Sequence, residues 1–292
     1  MNSITKYLLS LMICVFGLCS SASAGNNPNS QPYLGKFLVY ETSSGFFATV
    51  LSVIGALNFY EKGSYSGFQV RISEGVYYDP DLGPNWWNYF FEPINFGNQR
   101  ARKHLFTVQE HCNFVGDTMR LSSERNNELI HRYIHVLPHI QLQIDTFVSQ
   151  HFGDSFVIGV HHRGSDKVIE IPRVPFERTH GAIEKVIASL DESQKISYKI
   201  YVATDDALFL DYMKGLYGDR ILYNDFVRTT DDTPLHYGND DKYSSMYKKG
   251  EEAVLDSLLL SECNHLIRPN SCLSIFSGLY NLNLPVTALS GD

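Results

Sequence analysis

Basic residues are scarce in this chain. Its 292 residues carry 24 Lys and Arg against 32 Asp and Glu, for a formal charge of −8 and a pI near 5.7. That balance excludes a protein gripping nucleic acid by its phosphates, which needs a broad basic face. An anionic ligand would have to be met by a few placed cations. Cysteine is scarce as well. Cys14 and Cys19 fall in the apolar leader, and Cys112, Cys263 and Cys272 remain, so at most one disulfide and no disulfide framework is expected. No cysteine sits in a nucleophile motif. His131 and His135 stand four apart without the glutamate of an H-E-x-x-H zinc site, and there is no G-x-S-x-G elbow of a serine hydrolase. Asp205-Asp206 lack the spacer of an Asp-x-Asp metal clamp. After the N-terminus no apolar run is long enough to span a bilayer. Internal repeats and low-complexity tracts are missing too.

What is present is core material, with 43% hydrophobic and 13% aromatic residues, enough for one large domain or two small ones. Met1–Lys6 is positively charged, Tyr7–Leu18 is almost wholly apolar, and Ala22-Ser23-Ala24 supplies small residues. This is the pattern of a signal peptide, residues 1–24, cleaved after Ala24, with an uncleaved membrane anchor as the alternative. The expectation is a chain in the secretory lumen, periplasm or extracellular space, with no membrane span after cleavage. Gly25–Gln31 is a polar lead-in.

Lys36–Glu41 reads as a strand, Phe46–Glu61 as a helix and Gly67–Ile72 as a second strand. Tyr77–Ile94 is aromatic, acidic and aperiodic. A helical stretch from Glu124 to about Gln150, interrupted at Pro138, marks the boundary between residues 25–150 and 151–292. Beyond it strands and helices alternate. Strands are expected over Ser155–His161, Lys199–Ala203, Arg220–Leu222, His265–Arg268 and Val286–Leu289. Helices are expected over Pro175–Leu190, Ala207–Leu216, Lys248–Cys263 and Ser271–Tyr280, with a polar loop over Asn224–Ser245. Such alternation means an α/β doubly wound sheet, whose ligands bind at the C-terminal strand ends.

The densest chemical signal lies at one such end. Val157–Val160 runs into His161-His162-Arg163-Gly164-Ser165-Asp166-Lys167. An arginine there can fork two donors onto a phosphate and stays charged when partly desolvated. A salt-bridged loop, with Asp166 neutralising Arg163, is the plainer alternative. Ser271 and Ser274 open the last long helix, where N–H groups and hydroxyls make an anion site; either serine could reach phosphate. Asp256 borders an apolar helix stripe. Trp86, Trp87, Tyr78, Asp79 and Glu92 suit a sugar ligand, since sugar faces stack on aromatic rings and acids grip hydroxyls. The alternative is that the aromatics fill a core. Ser43–Phe46, in the first strand-to-helix turn, is a weaker ligand-binding candidate.

IGVHHRGSDK resembles the first motif of the superfamily of α1,6-, α1,2- and protein O-fucosyltransferases, which is His-x-Arg-Arg-x-Asp-Lys in the α1,6 branch and its nodulation relatives. Tyr201–Asp206 (YVATDD) resembles the family's strand ending in Ala-Thr-Asp-Asp. Glu252–Ser261 (EAVLDSLLLS) followed by His265–Ser274 (HLIRPNSCLS) resembles its third motif. The resemblance covers about Ser155 to Tyr280. It implies a GT-B-like fold of two facing Rossmann-type halves with parallel sheets, the first on the acceptor side and the second holding a nucleotide sugar. It further implies an inverting transfer of fucose from GDP-fucose to a glycan or glycoprotein hydroxyl, without a metal. By resemblance Arg163 holds the β-phosphate and stabilises departing GDP, while His161 and Asp256 read guanine. Asp166 and Asp205 join the substrate-binding candidates. The base falls near Glu170, one residue off the family's register, beside Lys167. The family's second arginine is Gly164 here. That departure keeps open a non-catalytic nucleotide-sugar- or glycan-binding protein of the same fold. GDP-sugars are cytosolic, so an exported enzyme needs a compartment that supplies them.

Overall fold

The computed structural model describes residues 36–40, 44–98, 100–164, 173–230, 235 and 242–290. The leader therefore lies outside the described residues, as do Ser43, Asp166, Lys167 and Glu170. The chain divides into two compact units after His135.

The first unit holds β1 (Lys36–Tyr40), α1 (Phe46–Glu61), β2 (Gly67–Val70), β3 (Asn95–Gly97), β4 (Arg102–Leu105), α2 (Val108–Arg120) and α3 (Ser123–Tyr133). Its sheet has the order β3-β2-β1-β4. β1 is parallel to β2 and β4, but β3 is antiparallel to β2. The fully parallel sheet expected here is thus corrected to a mixed one: the chain returns through the aromatic segment and adds β3 as an antiparallel edge, which needs no crossover helix. The α1 sequence is apolar on all sides, and every residue from Phe46 to Leu57 except Ala48 is buried. Its buried polar side chains are satisfied by neighbours: Ser52 donates to the His111 carbonyl at 3.3 Å and Asn58 accepts from Arg125 Nε at 3.2 Å. α2 begins with a capping box in which the Thr107 hydroxyl accepts from Glu110 N and Glu110 reaches back to Thr107 N.

The second unit holds α4 (Pro138–Phe147), β5 (Val157–His162), α5 (Phe176–Ser189), α6 (Glu192–Ser197), β6 (Lys199–Thr204), α7 (Ala207–Tyr217), β7 (Ile221–Leu222), α8 (Met246–Ser261), β8 (His265–Pro269), α9 (Cys272–Tyr280) and β9 (Val286–Leu289). Its sheet is parallel throughout, in the order β7-β6-β5-β8-β9. The strand order reverses between β5 and β8, which is the topological switch point of a doubly wound sheet. β5 is buried at all six positions, which explains why it reads as an apolar run. One sheet face packs Ile158, Val160, Ile200, Val202 and Ile267 against Ile183 of α5 and Phe209 and Met213 of α7. Each such side chain contributes about 1.5–3 kcal/mol on full burial. The opposite face meets α8 and α9. Gly159 is glycine because a Cβ there would lie 2.9 Å from Cys263 Sγ and 3.1 Å from Leu260 Cδ2, at the end of α8. Cys263 is a buried free thiol. No helix among the described residues is long and apolar enough to cross a membrane.

Candidate functional site

The two histidines that end β5 point to opposite faces, as strand alternation requires. His162 stacks flat on Phe209, with ring centroids 3.9 Å apart, and meets the edge of Phe176. Burial pushes its pKa down to about 4, and its Nε2 is buried without a hydrogen-bond partner. It is a neutral core residue. His161 takes the other face, where Nδ1 lies 2.8 Å from Ser274 Oγ in the first turn of α9. Both are buried, with 5% and 0% of their surface exposed. The bond joins the end of β5 to the helix that follows β8, so it spans the switch point.

Arg163 follows, half-buried, at the strand end. Gly164 is then pinned to β6: its N–H donates to Asp205 Oδ1 at 2.9 Å, and the Arg173 guanidinium donates to its carbonyl. A Cβ on Gly164 would lie 2.4 Å from Asp206 Oδ2 and 2.5 Å from Asp206 Cβ. No side chain fits there without displacement. In this chain a side chain at position 164 would have to displace Asp206.

Asp205 and Asp206 divide two tasks. Asp206 caps α7, accepting from Leu208 N at 2.9 Å and Phe209 N at 3.1 Å. Asp205 holds Gly164 by its side chain, and its carbonyl accepts from Thr229 N at 2.9 Å, which lays the segment from Asn224 to Thr229 along the end of β6. Both carboxylates are committed to backbone donors. Among the described residues no group of three His, Cys, Asp or Glu side chains is placed to hold a metal ion.

Asp256 projects from α8 on the same sheet face as His161. Its Oδ1 accepts from the Tyr201 hydroxyl at 2.6 Å, and Asn224 Nδ2 donates to that hydroxyl at 3.0 Å. Burial pushes the Asp256 pKa up to about 7 against the opposing pull of Tyr201 and Arg228; nearby Glu252 and Asp205 raise it further. Glu252, one turn earlier, accepts from Val227 N at 3.1 Å and is also pushed up to about 7, chiefly by burial. A carboxylate with one oxygen held by a phenol, in partly dry surroundings, suits a ligand edge with two N–H donors.

Ser271 is the N-cap residue of α9 by backbone geometry but makes no side-chain capping bond. With Ser274 committed to His161, Ser271 is the serine left beside the helix N-terminus. Arg268, which ends the same strand on the way to Ser271, was not singled out by sequence reasoning. The signal was available, because it is a charged residue at the end of an apolar strand, as Arg163 is.

In the first unit the aromatic segment is core. Trp86 and Trp87 expose none of their surface. Trp86 packs on Phe46 and Tyr77, and Trp87 packs on Phe91 while donating its Nε1 to the Glu92 carbonyl at 3.1 Å. The acceptor-stacking role expected of both is corrected accordingly, since a sugar cannot lie on a ring with no exposed face. Asp79 is half-buried and caps a short 3-10 turn, accepting from Asp81 N at 3.2 Å. The Glu92 side chain is exposed and Tyr78 is half-buried. Ser44 bonds His111 Nε2 at 3.0 Å and lies 3.2 Å from the Thr49 hydroxyl. Burial pushes the His111 pKa down to about 4, so the ring is neutral.

Residues 84–285 match the family model described as Nodulation protein Z (NodZ). Nodulation protein Z of Bradyrhizobium diazoefficiens is 26% identical over 217 residues, covering 68% of this chain and 57% of that protein. The chain thus spans little more than half the length of this curated relative. The crystal structure of NodZ α-1,6-fucosyltransferase soaked with GDP-fucose superposes with a TM-score of 0.59 at 18% identity, covering 84% of this chain and 93% of that one. A mutant of Arabidopsis thaliana FUT1 in complex with GDP gives a TM-score of 0.53 at 11% identity, covering 99% of this chain and 74% of that one. At these identities the two structures establish a shared fold.

Proposed function

The chain belongs to the nodulation protein Z (NodZ) family, and from that premise we propose that it is a glycosyltransferase moving fucose from GDP-fucose to a glycan or glycoprotein hydroxyl, with inversion. The observation that carries this reading is the His161–Ser274 bond across the switch point, with Arg163 on the loop that leaves it. A doubly wound sheet presents its ligand site there, and the relative solved after a GDP-fucose soak shares the fold.

In this reading Arg163 forks onto the diphosphate and stabilises the charge that grows on it as the bond to the sugar breaks. Ser271 and the first N–H groups of α9 add donors to the same anion. Asp256 accepts two N–H donors from guanine, beside His161. Inversion requires the acceptor hydroxyl to attack from the side opposite departing GDP while a base removes its proton. Glu170, beside Lys167, is our candidate for that base. Asp205 holds the loop through its side chain, which accepts from the Gly164 N–H. Export through the apolar leader belongs to the same proposal, as does a reaction without a metal.

The test is turnover. Purified protein is incubated with GDP-fucose and a panel of glycans, and products are read by mass. A mass increase of one deoxyhexose, absent with GDP-mannose and absent from Arg163→Ala, supports the proposal. GDP-fucose binding with neither transfer nor hydrolysis would replace it with the non-catalytic binding protein.

A further inference from the structure

We propose that Arg268 is a second diphosphate-binding cation beside Arg163; the inference rests on the donor site proposed above.

Register places it. β5 and β8 pair Ile158 with His265, Gly159 with Leu266 and Val160 with Ile267. The next step of that ladder sets Arg268 against His161, on the sheet face that carries α8 and α9. Three residues later the chain reaches Ser271 and the start of α9. Arg268 therefore stands at the switch point, at the same strand-end level as the Arg163 loop.

Its environment is that of a cation awaiting an anion. Arg268 is half-buried and forms no ion pair with any described residue. Nη1 donates to the Pro269 carbonyl at 3.2 Å, and Nε is buried with no partner at all. Burial lowers its pKa, and among the described residues no carboxylate opposes that shift. An unpaired, desolvated guanidinium costs the fold free energy that a bound anion would offset. Arg125 and Arg132, by contrast, are paired with Glu61 and Glu128. Arg228 also has a buried Nε without a partner, but it lies within electrostatic reach of Glu252 and Asp256.

Position 164 offers no cation of its own, and a side chain there would have to displace Asp206. β8 is the neighbour across the switch point, and its end carries an arginine whose planar fork suits phosphate oxygens.

The experiment titrates the full chain and its Arg268→Gln and Arg268→Lys variants with GDP, guanosine and inorganic pyrophosphate, and melts each protein without ligand. Arg268→Gln should weaken GDP and pyrophosphate by roughly tenfold to a hundredfold, the range for a charge-assisted bond. Guanosine should bind unchanged, Arg268→Lys should fall between, and the ligand-free Gln variant should melt no lower than the parent. Unchanged GDP and pyrophosphate affinity in Arg268→Gln would overturn the inference and leave the donor site standing. So would a parallel loss for all three ligands with a lowered melting temperature, which is the signature of a packing role. If the parent binds pyrophosphate but not GDP, and Arg268→Gln loses it, the anion site stands while the guanosine reading falls. A folded parent that binds neither overturns both.

Discussion

Restoring the family's second arginine should damage this protein. In Gly164→Arg the new Cβ would sit 2.4 Å from Asp206 Oδ2, 2.5 Å from Asp206 Cβ and 2.8 Å from Asp206 Cγ. Asp206 Cβ is fixed by the backbone, so a rotamer change moves Cγ and Oδ2 but leaves the 2.5 Å Cβ–Cβ contact. If Asp206 retreats, it releases Leu208 N and Phe209 N and uncaps α7 at about 1–2 kcal/mol. Otherwise the Arg163 loop lifts, breaking the 2.9 Å bond from Gly164 N to Asp205, a charged acceptor worth about 1.5–3 kcal/mol. The loss is therefore about 1–3 kcal/mol by either route, or roughly 2–10 °C in melting temperature for a protein of this size. Gly164→Ala separates the Cβ from the guanidinium and should lose about as much. Denaturant and thermal melts of both variants measure the effect, and GDP titration shows whether Arg163 has moved with its loop. Two variants as stable as the parent, with Gly164→Arg binding GDP more tightly, would refute the steric argument.

GDP should bind more tightly as pH rises from 6 to 8, because guanine needs the ionised form of Asp256, whose pKa burial pushes up to about 7. Roughly a tenth of it is ionised at pH 6, so a gain of about tenfold is expected, and Asp256→Asn should flatten the profile; Glu252, Asp205, Tyr201 and Arg228 are the charged and titratable groups around it. Without ligand, raised carboxyl pKa values at Asp256 and Glu252 favour the folded state at low pH, and that contribution is lost as pH climbs through about 7; thermal melts of the parent against Asp256→Asn should show it shrinking, and equal slopes would contradict it. Glu61→Ala should destabilise the first unit by about 1–3 kcal/mol, since Glu61 accepts from Arg125, Arg132 and Tyr133. Burial opposes ionisation of Glu61, but Tyr133, Arg125 and Arg132 outweigh it and lower the pKa, so the difference from the parent should shrink as pH falls below the ordinary carboxylate range. Trp87→Ala should cost about 3–5 kcal/mol in a denaturant melt as a core deletion; unchanged stability with weakened glycan binding would return Trp87 to the acceptor surface.

Much of the second unit was legible because buried parallel strands are continuous apolar runs set between capped helices. Val157–His162, Lys199–Thr204 and His265–Pro269 each fall within a residue or two of the expected spans, and Phe46–Glu61 in the first unit matches its expected bounds. β4, with the sequence RKHL, was missed because its residues are mostly exposed and lack the apolar alternation that betrays a strand. α2 was missed behind a mixed polar surface, although Thr107 and Glu110 already spelled its capping box. α6 is shorter still, announced by Asp191 and Gln194 alone. Composition could not tell whether Trp86 and Trp87 form a platform or a plug, because that depends on Phe46, Tyr77 and Phe91, distant or aperiodic in sequence. The site was legible wherever one strand end concentrated its charge, as at His161 to Gly164. It was hidden where the relation lay between elements, as in the register that sets β8 beside β5 and the hold of Tyr201 on Asp256.

The central claim is a guanosine diphosphate site at the β5–β8 switch point. Calorimetric titration of the full chain with GDP and GDP-fucose, alongside Arg163→Ala, tests it most directly. The account predicts binding that is selective for guanosine over adenosine diphosphate and lost in the variant while its melting temperature holds. Folded protein that binds neither nucleotide, or binds GDP equally well without Arg163, would contradict it.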